Sequence, residues 1–188
     1  MAQSNHQRRP EPKLLGELPK RLHHNAYVTD DQEKTRRFYE DVLGFPLTAM
    51  WIEEVSHGGK SSIMSHAFYG IGDGGALAFF EFADPEIKDA TVPKKQSGYV
   101  HIALAISEAG QTEIRDRLAA ANLRSAVIDH GYCRSLYVED PNGLTLEFTV
   151  DPPHAAEIAT YQRETAHKTM QRWKQGDRSP NNALRPHA

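Results

Sequence analysis

The sequence predicts an α+β protein in which two βαβββ modules form one curled mixed sheet, followed by a C-terminal helix. Three observations support this prediction. The same order of strand and helix patterns occurs twice along the 188 residues, a His-x-Ala triplet opens each copy at residues 24–26 and 101–103, and a turn-linked pair of strands closes each copy. We therefore interpret the chain as a duplicated module.

The first module is expected to span residues 22–82. A strand pattern covers residues 22–29, and Asp30 or Asp31 is suited to cap the helix that spacing predicts for residues 32–43. Gly44 follows, where a helix commonly ends in a left-handed residue. Three strands are then predicted, at residues 47–55, 63–71 and 76–82.

The second module is expected to span residues 99–150, after a connector at residues 83–97. A strand at 99–106 and a helix at 111–121 precede three strands, and a turn at 140–143 joins the last two. These three strands are predicted at residues 127–128, 133–138 and 144–150.

The two modules together predict a paired-module domain at residues 21–152, between a surface tail at 1–20 and a C-terminal region at 153–188. The C-terminal region should contain a helix at about residues 154–175. This helix would pack on its own core or on another subunit, so a homodimer is one assembly that the sequence allows.

Composition excludes several classes of partner. Lys and Arg number 22 against 25 Asp and Glu, and a formal charge of -3 is too balanced to attract nucleic acid or anionic lipid. The longest apolar run, residues 76–80, is far shorter than the roughly 20 residues of a membrane helix. The polar N-terminus lacks the apolar segment of a secretory signal, and Cys133 is the single cysteine. We expect a cytoplasmic protein whose partner is a small-molecule substrate.

Alternation along the strands places ionisable side chains on one face of each module. His101 shares a face with alanines, and Glu147 points away from the apolar face of the last strand; His24 and Glu81 are the corresponding residues of the first module. A carboxylate buried among phenylalanines is costly without a partner, and a cation is a simple one. Two imidazoles with one or two carboxylates suit Fe(II), Mn(II), Zn(II), Ni(II) or Co(II), and the residues alone do not choose among these metals.

Two stretches of the chain carry distinctive patterns, Phe-Tyr-x-x-x-Leu-Gly at residues 38–44 and Asp-Pro-x-Gly-x-x-x-Glu at residues 140–147. In both, the chain resembles the vicinal oxygen chelate superfamily, which holds glyoxalases, extradiol ring-cleaving dioxygenases and antibiotic-resistance proteins. The resemblance covers about residues 22–152. It implies that paired modules curl into a cup around a divalent metal, held by His24, His101 and Glu147, with Glu81 as an optional fourth ligand.

The resemblance implies two competing metal-dependent activities. Ring-cleaving dioxygenases hold Fe(II) with His, His and Glu, and use a Tyr ten residues before the Glu, which Tyr137 matches. Their acid–base His precedes a Leu-Ala-Phe run, where this sequence has glycines and alanine, so His66 or His130 would transfer the proton. Glyoxalase-like lyases or isomerases use a second Glu, for which Glu81 is the candidate, and bind a glutathione hemithioacetal through basic residues that the sequence does not reveal.

We favour an Fe(II)-dependent enzyme, similar to an extradiol dioxygenase, that acts on a small aromatic diol; Mn(II), Zn(II), Ni(II) and Co(II) are alternative metals. Phe79 and the alanines of the opening strands are expected to line an apolar pocket. A glyoxalase-like lyase is the first alternative. The second is a metal-free protein that binds or sequesters a small molecule, as the bleomycin-binding members of the superfamily do.

Overall fold

The computed structural model describes residues 19–92 and 99–177. The first module consists of a strand, a helix and three further strands, and a short helix follows it. Its elements are β1 (His24–Val28), α1 (Gln32–Arg36, continued by a π-helical segment Arg37–Val42), β2 (Leu47–His57), β3 (Lys60–Gly70), β4 (Ala76–Phe82) and α2 (Pro85–Thr91).

The second module repeats this order, and a long helix follows it. Its elements are β5 (His101–Ala105), α3 (Glu108–Ala120), β6 (Ser125–Asp129), β7 (Arg134–Glu139) and β8 (Thr145–Val150), with the final helix α4 (Ala155–Lys174). The predicted α+β class with two βαβββ modules and a C-terminal helix is confirmed. Of the predicted N-terminal tail at 1–20 and C-terminal region at 153–188, residues 1–18 and 178–188 lie outside the described part of the chain.

Each module forms its own four-stranded sheet rather than half of a single sheet. The strand orders are β1-β4-β3-β2 and β5-β8-β7-β6. In each sheet the opening strand pairs in parallel with the closing strand, and the other pairs are antiparallel. The two sheets are therefore related as copies of one mixed topology, as the duplication predicts.

Helix α2 lies in the segment that we expected to be an irregular connector. Asp84 caps it by accepting hydrogen bonds from the backbone N–H groups of Glu86 and Ile87, and Pro85 occupies the first turn. Asp followed by Pro and Glu is a known helix-start signal. The lysines that follow this short helix obscured that signal in the sequence.

A single hydrophobic core lies between the helix-facing sides of the two sheets. Phe38, Tyr39 and Phe79 enter it from the first module, and Leu118 and Phe148 enter it from the second. The Phe45 ring meets the Phe148 ring edge-on at 6.2 Å between centroids. Because the shared core covers these sides, the opposite face of each sheet looks away from it and is open.

A buried polar group joins the modules beside this core. The hydroxyl of Tyr39 donates to Asp140 Oδ2 at 3.0 Å, and Thr29 Oγ1 donates to Asn142 Oδ1 at 2.7 Å. Asp140 also accepts the backbone N–H groups of Asn142 and Leu144, which closes the predicted turn before β8. The predicted Asp-Pro-Asn-Gly turn is therefore also the contact point between modules.

Within the described ranges, no helix is long and apolar enough to cross a membrane.

Candidate functional site

The open face of the second module carries a histidine–carboxylate pair. Strand β5 pairs with β8 so that Ala103 lies opposite Glu147, which brings the side chain of His101 beside the carboxylate. His101 Nε2 lies 2.9 Å from Glu147 Oε2. The Glu147 side chain is 8% exposed and that of His101 is 33% exposed, so solvent reaches the pair from the imidazole side.

Hydroxyl groups hold the Glu147 carboxylate in its charged form. Burial raises the pKa of Glu147, but hydrogen bonds from Ser135, Tyr137 and Thr149, together with the nearby His101, outweigh burial and leave the pKa below its ordinary value. Thr149 Oγ1 donates to Glu147 Oε1 at 3.1 Å. A buried, ionised carboxylate next to a partly exposed imidazole is a suitable pair of metal donors.

Tyr137 and His130 extend this group along β7. Tyr137 lies opposite Glu147 in the antiparallel β7–β8 pair. Burial, followed by the hydrogen bond to Glu147 and its charge, raises the pKa of Tyr137 to about 12, so its hydroxyl keeps its proton at neutral pH. His130 Nε2 lies 2.8 Å from the Tyr137 hydroxyl. The direction of this hydrogen bond follows the tautomer of His130, so His130 is placed to exchange a proton with the Tyr137 hydroxyl.

The open face of the first module carries His24 and His66. The His24 ring lies 6.0 Å from the His66 ring, and His24 Nδ1 is 2.8 Å from His23 Nδ1. Burial lowers the pKa of His66, although Glu53, whose Oε1 lies 3.7 Å from His66 Nδ1, opposes this effect. His66 Nε2 is buried and has no hydrogen-bond partner among the described residues.

The expected placement of Glu81 needs correction. In the parallel β1–β4 pair, Ala26 lies opposite Ala78, so Ala78 is the first-module counterpart of Glu147. Glu81 lies three residues further along β4 and points to the helix side, where Lys88 Nζ contacts it at 2.7 Å and the backbone N–H of Gln32 donates to it at 2.9 Å. The structure does not bring Glu81 to the face of His24.

The expected pocket lining also needs correction, because Phe79 is fully buried in the core against Tyr39. Phe79 and Glu81 are two residues apart on β4, so both side chains point to the helix side and away from the open face. The side chains of Phe68 and Phe80 lie on the open face instead, in register with Ala78 and His66.

The structure thus brings four of the seven predicted site residues together and leaves three apart, among them Glu81 on the helix side. His101, Glu147, Tyr137 and His130 form one group on the second module, whereas His24 and His66 lie on the first. Within residues 19–92 and 99–177, no three His, Cys, Asp or Glu side chains lie close enough to hold a metal ion. His101 and Glu147 fit a divalent metal as two donors, and a third protein donor would have to come from outside this group.

Sequence reasoning missed the role of Ser135, which supports Glu147 by hydrogen bonding and contacts Thr149 Oγ1 at 2.6 Å. Alternation could have found it, since Ser135, Tyr137 and Glu147 occupy the same face of neighbouring strands. Second-layer hydroxyls of this kind orient the groups that bind a metal.

The two mixed four-stranded sheets place the protein in the paired βαβββ class. Its candidate site is the His101–Glu147 pair, which neighbouring hydroxyl groups hold by hydrogen bonds. The family model described as the Glyoxalase/Bleomycin resistance protein/Dioxygenase superfamily matches residues 21–148. The chain belongs to this superfamily. No protein of curated function matches the sequence.

Three solved structures illustrate the shared fold. The trypanothione-dependent glyoxalase I of Leishmania major is 18% identical, with a TM-score of 0.56 over 79% of this chain and 99% of its own. The oxidase ChaP-H2 is 21% identical, with a TM-score of 0.51 over 72% and 96%. The fosfomycin resistance protein FosX of Listeria monocytogenes is 19% identical, with a TM-score of 0.51 over 73% and 98%. At these identities the likeness concerns the fold.

Proposed function

We propose that this protein is a divalent-metal-dependent, dioxygenase-like oxidoreductase that acts on a small aromatic diol in the cytoplasm. The observation that carries the proposal is the contact of His101 with Glu147, supported by Tyr137 and His130 on the same face. A charged carboxylate, an imidazole and a protonated phenol are together suited to bind a metal and a hydroxylated ligand beside it.

The third protein donor in this proposal is His24 of a second copy of the chain. His24 and the His101–Glu147 pair lie on the open faces of different modules, and both faces are accessible because the core covers only the helix sides. A homodimer that places the first-module face of one copy against the second-module face of the other would complete a His-His-Glu set. Fe(II) is the preferred metal; Mn(II), Zn(II), Ni(II) and Co(II) accept the same donors.

The bound metal would supply a positive centre that binds two neighbouring substrate oxygens and favours their deprotonation. The chain's own residues have separate tasks. Tyr137 fixes the orientation of Glu147 and offers its oxygen to a substrate hydroxyl, and His130 accepts or returns the substrate proton. We give the proton transfer to His130 rather than His66, because His130 contacts Tyr137 and His66 lies among the aromatic rings of the first module.

Oxygen uptake tests this function. Protein loaded anaerobically with Fe(II) should consume O₂ with at least one member of a catechol panel, and Tyr137→Phe should lose most of that activity. Tyr161→Phe, which removes the hydroxyl of an exposed residue on α4, should leave uptake unchanged.

Two results would contradict the proposal. Absence of uptake across the panel, together with turnover of a glutathione hemithioacetal under Ni(II) or Zn(II), would establish the glyoxalase-like alternative. Purified protein that binds no stoichiometric metal would establish the metal-free binding alternative. The position of Glu81 on the helix side counts against the glyoxalase-like alternative, because that activity was expected to use Glu81 as a metal ligand.

A further inference from the structure

Aromatic rings cover the middle of the open face of the first module. The rings of His66 and Phe80 stack at 3.8 Å between centroids with an interplanar angle of 27°, and Phe68 lies 4.2 Å from His66. We call His66, Phe68 and Phe80 the aromatic floor. Neighbouring strands hold these side chains in register, so the floor is part of the sheet and is fixed by it.

Trp51 stands at the edge of this floor on β2. It lies opposite His66 in the β2–β3 pair and therefore points to the same face. Its side chain is nevertheless 60% exposed. A large indole that is held beside a layer of rings and left open to solvent offers an unused stacking surface.

A cavity of about 370 Å³ adjoins Trp51, within the range of roughly 300–1,000 Å³ typical of small-ligand pockets. Trp51, Phe68 and His23 supply its ring-bearing walls, and the remaining lining consists of Ile71, Thr48, two alanines and three glycines. Of the described residues that line it, none is Lys, Arg, Asp or Glu. A lining without charged residues suits an uncharged, flat group.

We propose that this cavity binds a planar aromatic ring system of the substrate, stacked between Trp51 and Phe68. The inference deepens the proposed function, and calling the ligand a substrate rests on that function. It assigns a place in the fold to the aromatic ring of the proposed diol, and it favours an aromatic over an aliphatic ligand because an aliphatic ligand gains less from stacking on ring faces.

Nuclear magnetic resonance of the full chain tests this proposal without metal. The sequence has two tryptophans, Trp51 and Trp173 in α4, so ¹⁵N-tryptophan labelling gives two indole N–H signals. Trp51→Phe identifies which signal belongs to Trp51. Titration with 2-naphthol in the presence of a chelator should shift the Trp51 signal saturably by ring current and leave the other signal in place.

Matched ligands and variants sharpen the test. Decahydro-2-naphthol has the same carbon skeleton and hydroxyl without the aromatic rings, and should bind at least about fivefold more weakly. Trp51→Ala should weaken 2-naphthol binding by about fivefold or more, whereas Trp51→Phe should retain most of it. Ile52→Ala changes the next residue of β2, which is 77% exposed on the other face, and should bind normally.

Two outcomes would overturn the inference: an unmoved Trp51 signal, or equal binding of 2-naphthol and decahydro-2-naphthol. Because 2-naphthol carries one hydroxyl and the metal is removed, these outcomes do not bear on the dioxygenase proposal. Conversely, normal naphthol binding with no O₂ uptake would refute only the proposed function.

Discussion

Glu147 is a buried carboxylate whose charge depends on its neighbours. Three hydroxyl groups and the His101 ring hold its pKa below the ordinary value against the opposite effect of burial. An arrangement that stabilises a carboxylate beside an imidazole before any ligand arrives lowers the cost of binding a cation. Glu147 is therefore the residue at which a substitution should act most directly on metal affinity.

Glu147→Gln should abolish stoichiometric metal binding, because the amide keeps the size of the side chain and removes its charge. Tyr137→Phe should weaken binding by roughly 10–100-fold, since it removes a hydrogen bond that orients the carboxylate. Elemental analysis and titration calorimetry with Fe(II) or Zn(II) measure both effects. Glu164→Gln on the exposed side of α4 is the control, and unchanged metal content in Glu147→Gln would contradict the assignment.

Residue-level prediction from the sequence succeeded where alternation alone was needed. The spacing along β8 is enough to place Glu147 on the face opposite Phe148. It is not enough to place Glu81, because the equivalence of two residues in different sheets depends on strand register. Ala78 pairs with Ala26 as Glu147 pairs with Ala103, and an offset of three residues moves Glu81 to the other face.

In each module, an equivalent glutamine joins the helix to the sheet of the same module. Gln111 Nε2 on α3 donates to the backbone carbonyls of Phe148 at 2.6 Å and Arg134 at 2.9 Å. Gln32 Nε2 on α1 donates to the carbonyl of Phe79 at 2.8 Å. Each module thus uses a glutamine of its helix to donate a hydrogen bond to a carbonyl of its closing strand.

Gln111→Ala should lower the free energy of unfolding by about 1–3 kcal/mol, because it removes two hydrogen bonds that a buried side chain makes to strand carbonyls. Gln111→Met, which fills the same space, should recover little of this loss. Denaturant unfolding measures both variants, and Gln162→Ala at an exposed position of α4 should be nearly neutral. Full recovery by Met would show that packing rather than hydrogen bonding holds the helix to the sheet.

The bounds of a strand or helix were predictable where turn residues and a run of apolar residues marked the same ends. The strand at Ala76–Phe82 begins and ends where the sequence predicts, because a glycine turn and an apolar run define both ends. The division into two sheets was not predictable. It depends on which sides of the modules meet in the core, and the contact of Tyr39 with Asp140, 101 residues apart, has no local signal.

At the scale of the whole molecule, the Tyr39–Asp140 contact links the modules and should respond to pH. Burial raises the pKa of Asp140, although four hydrogen bonds oppose the shift. The folded state therefore binds a proton more tightly than the unfolded chain, whose Asp pKa is about 3.9. This contribution to stability is fully present below that value and is lost as pH rises through the folded-state pKa.

Tyr39→Phe should lower the free energy of unfolding by about 1–3 kcal/mol at pH 7, because it removes a buried donor from the Asp140 carboxylate. The loss should be smaller at pH 4, where more of Asp140 is protonated and less charge depends on that donor. Urea unfolding of wild type and variant at both pH values gives the difference. Tyr161→Phe should show no such dependence, and a loss that grew on acidification would refute the argument.

The open faces of the two modules make the proposed dimer testable by complementation. His24→Ala and Glu147→Ala should each abolish the proposed site in a homodimer. Each proposed site combines His24 of one copy with His101 and Glu147 of the other. A mixed dimer of one His24→Ala chain and one Glu147→Ala chain therefore has both substitutions in one site, and its other site is intact. A doubly tagged mixed dimer should then bind about half the metal of wild type and recover about half its activity.

A control pair of two His24→Ala chains should recover nothing. A mixed dimer as inactive as its parents, or a wild-type chain that binds metal as a monomer, would place the complete site within one chain.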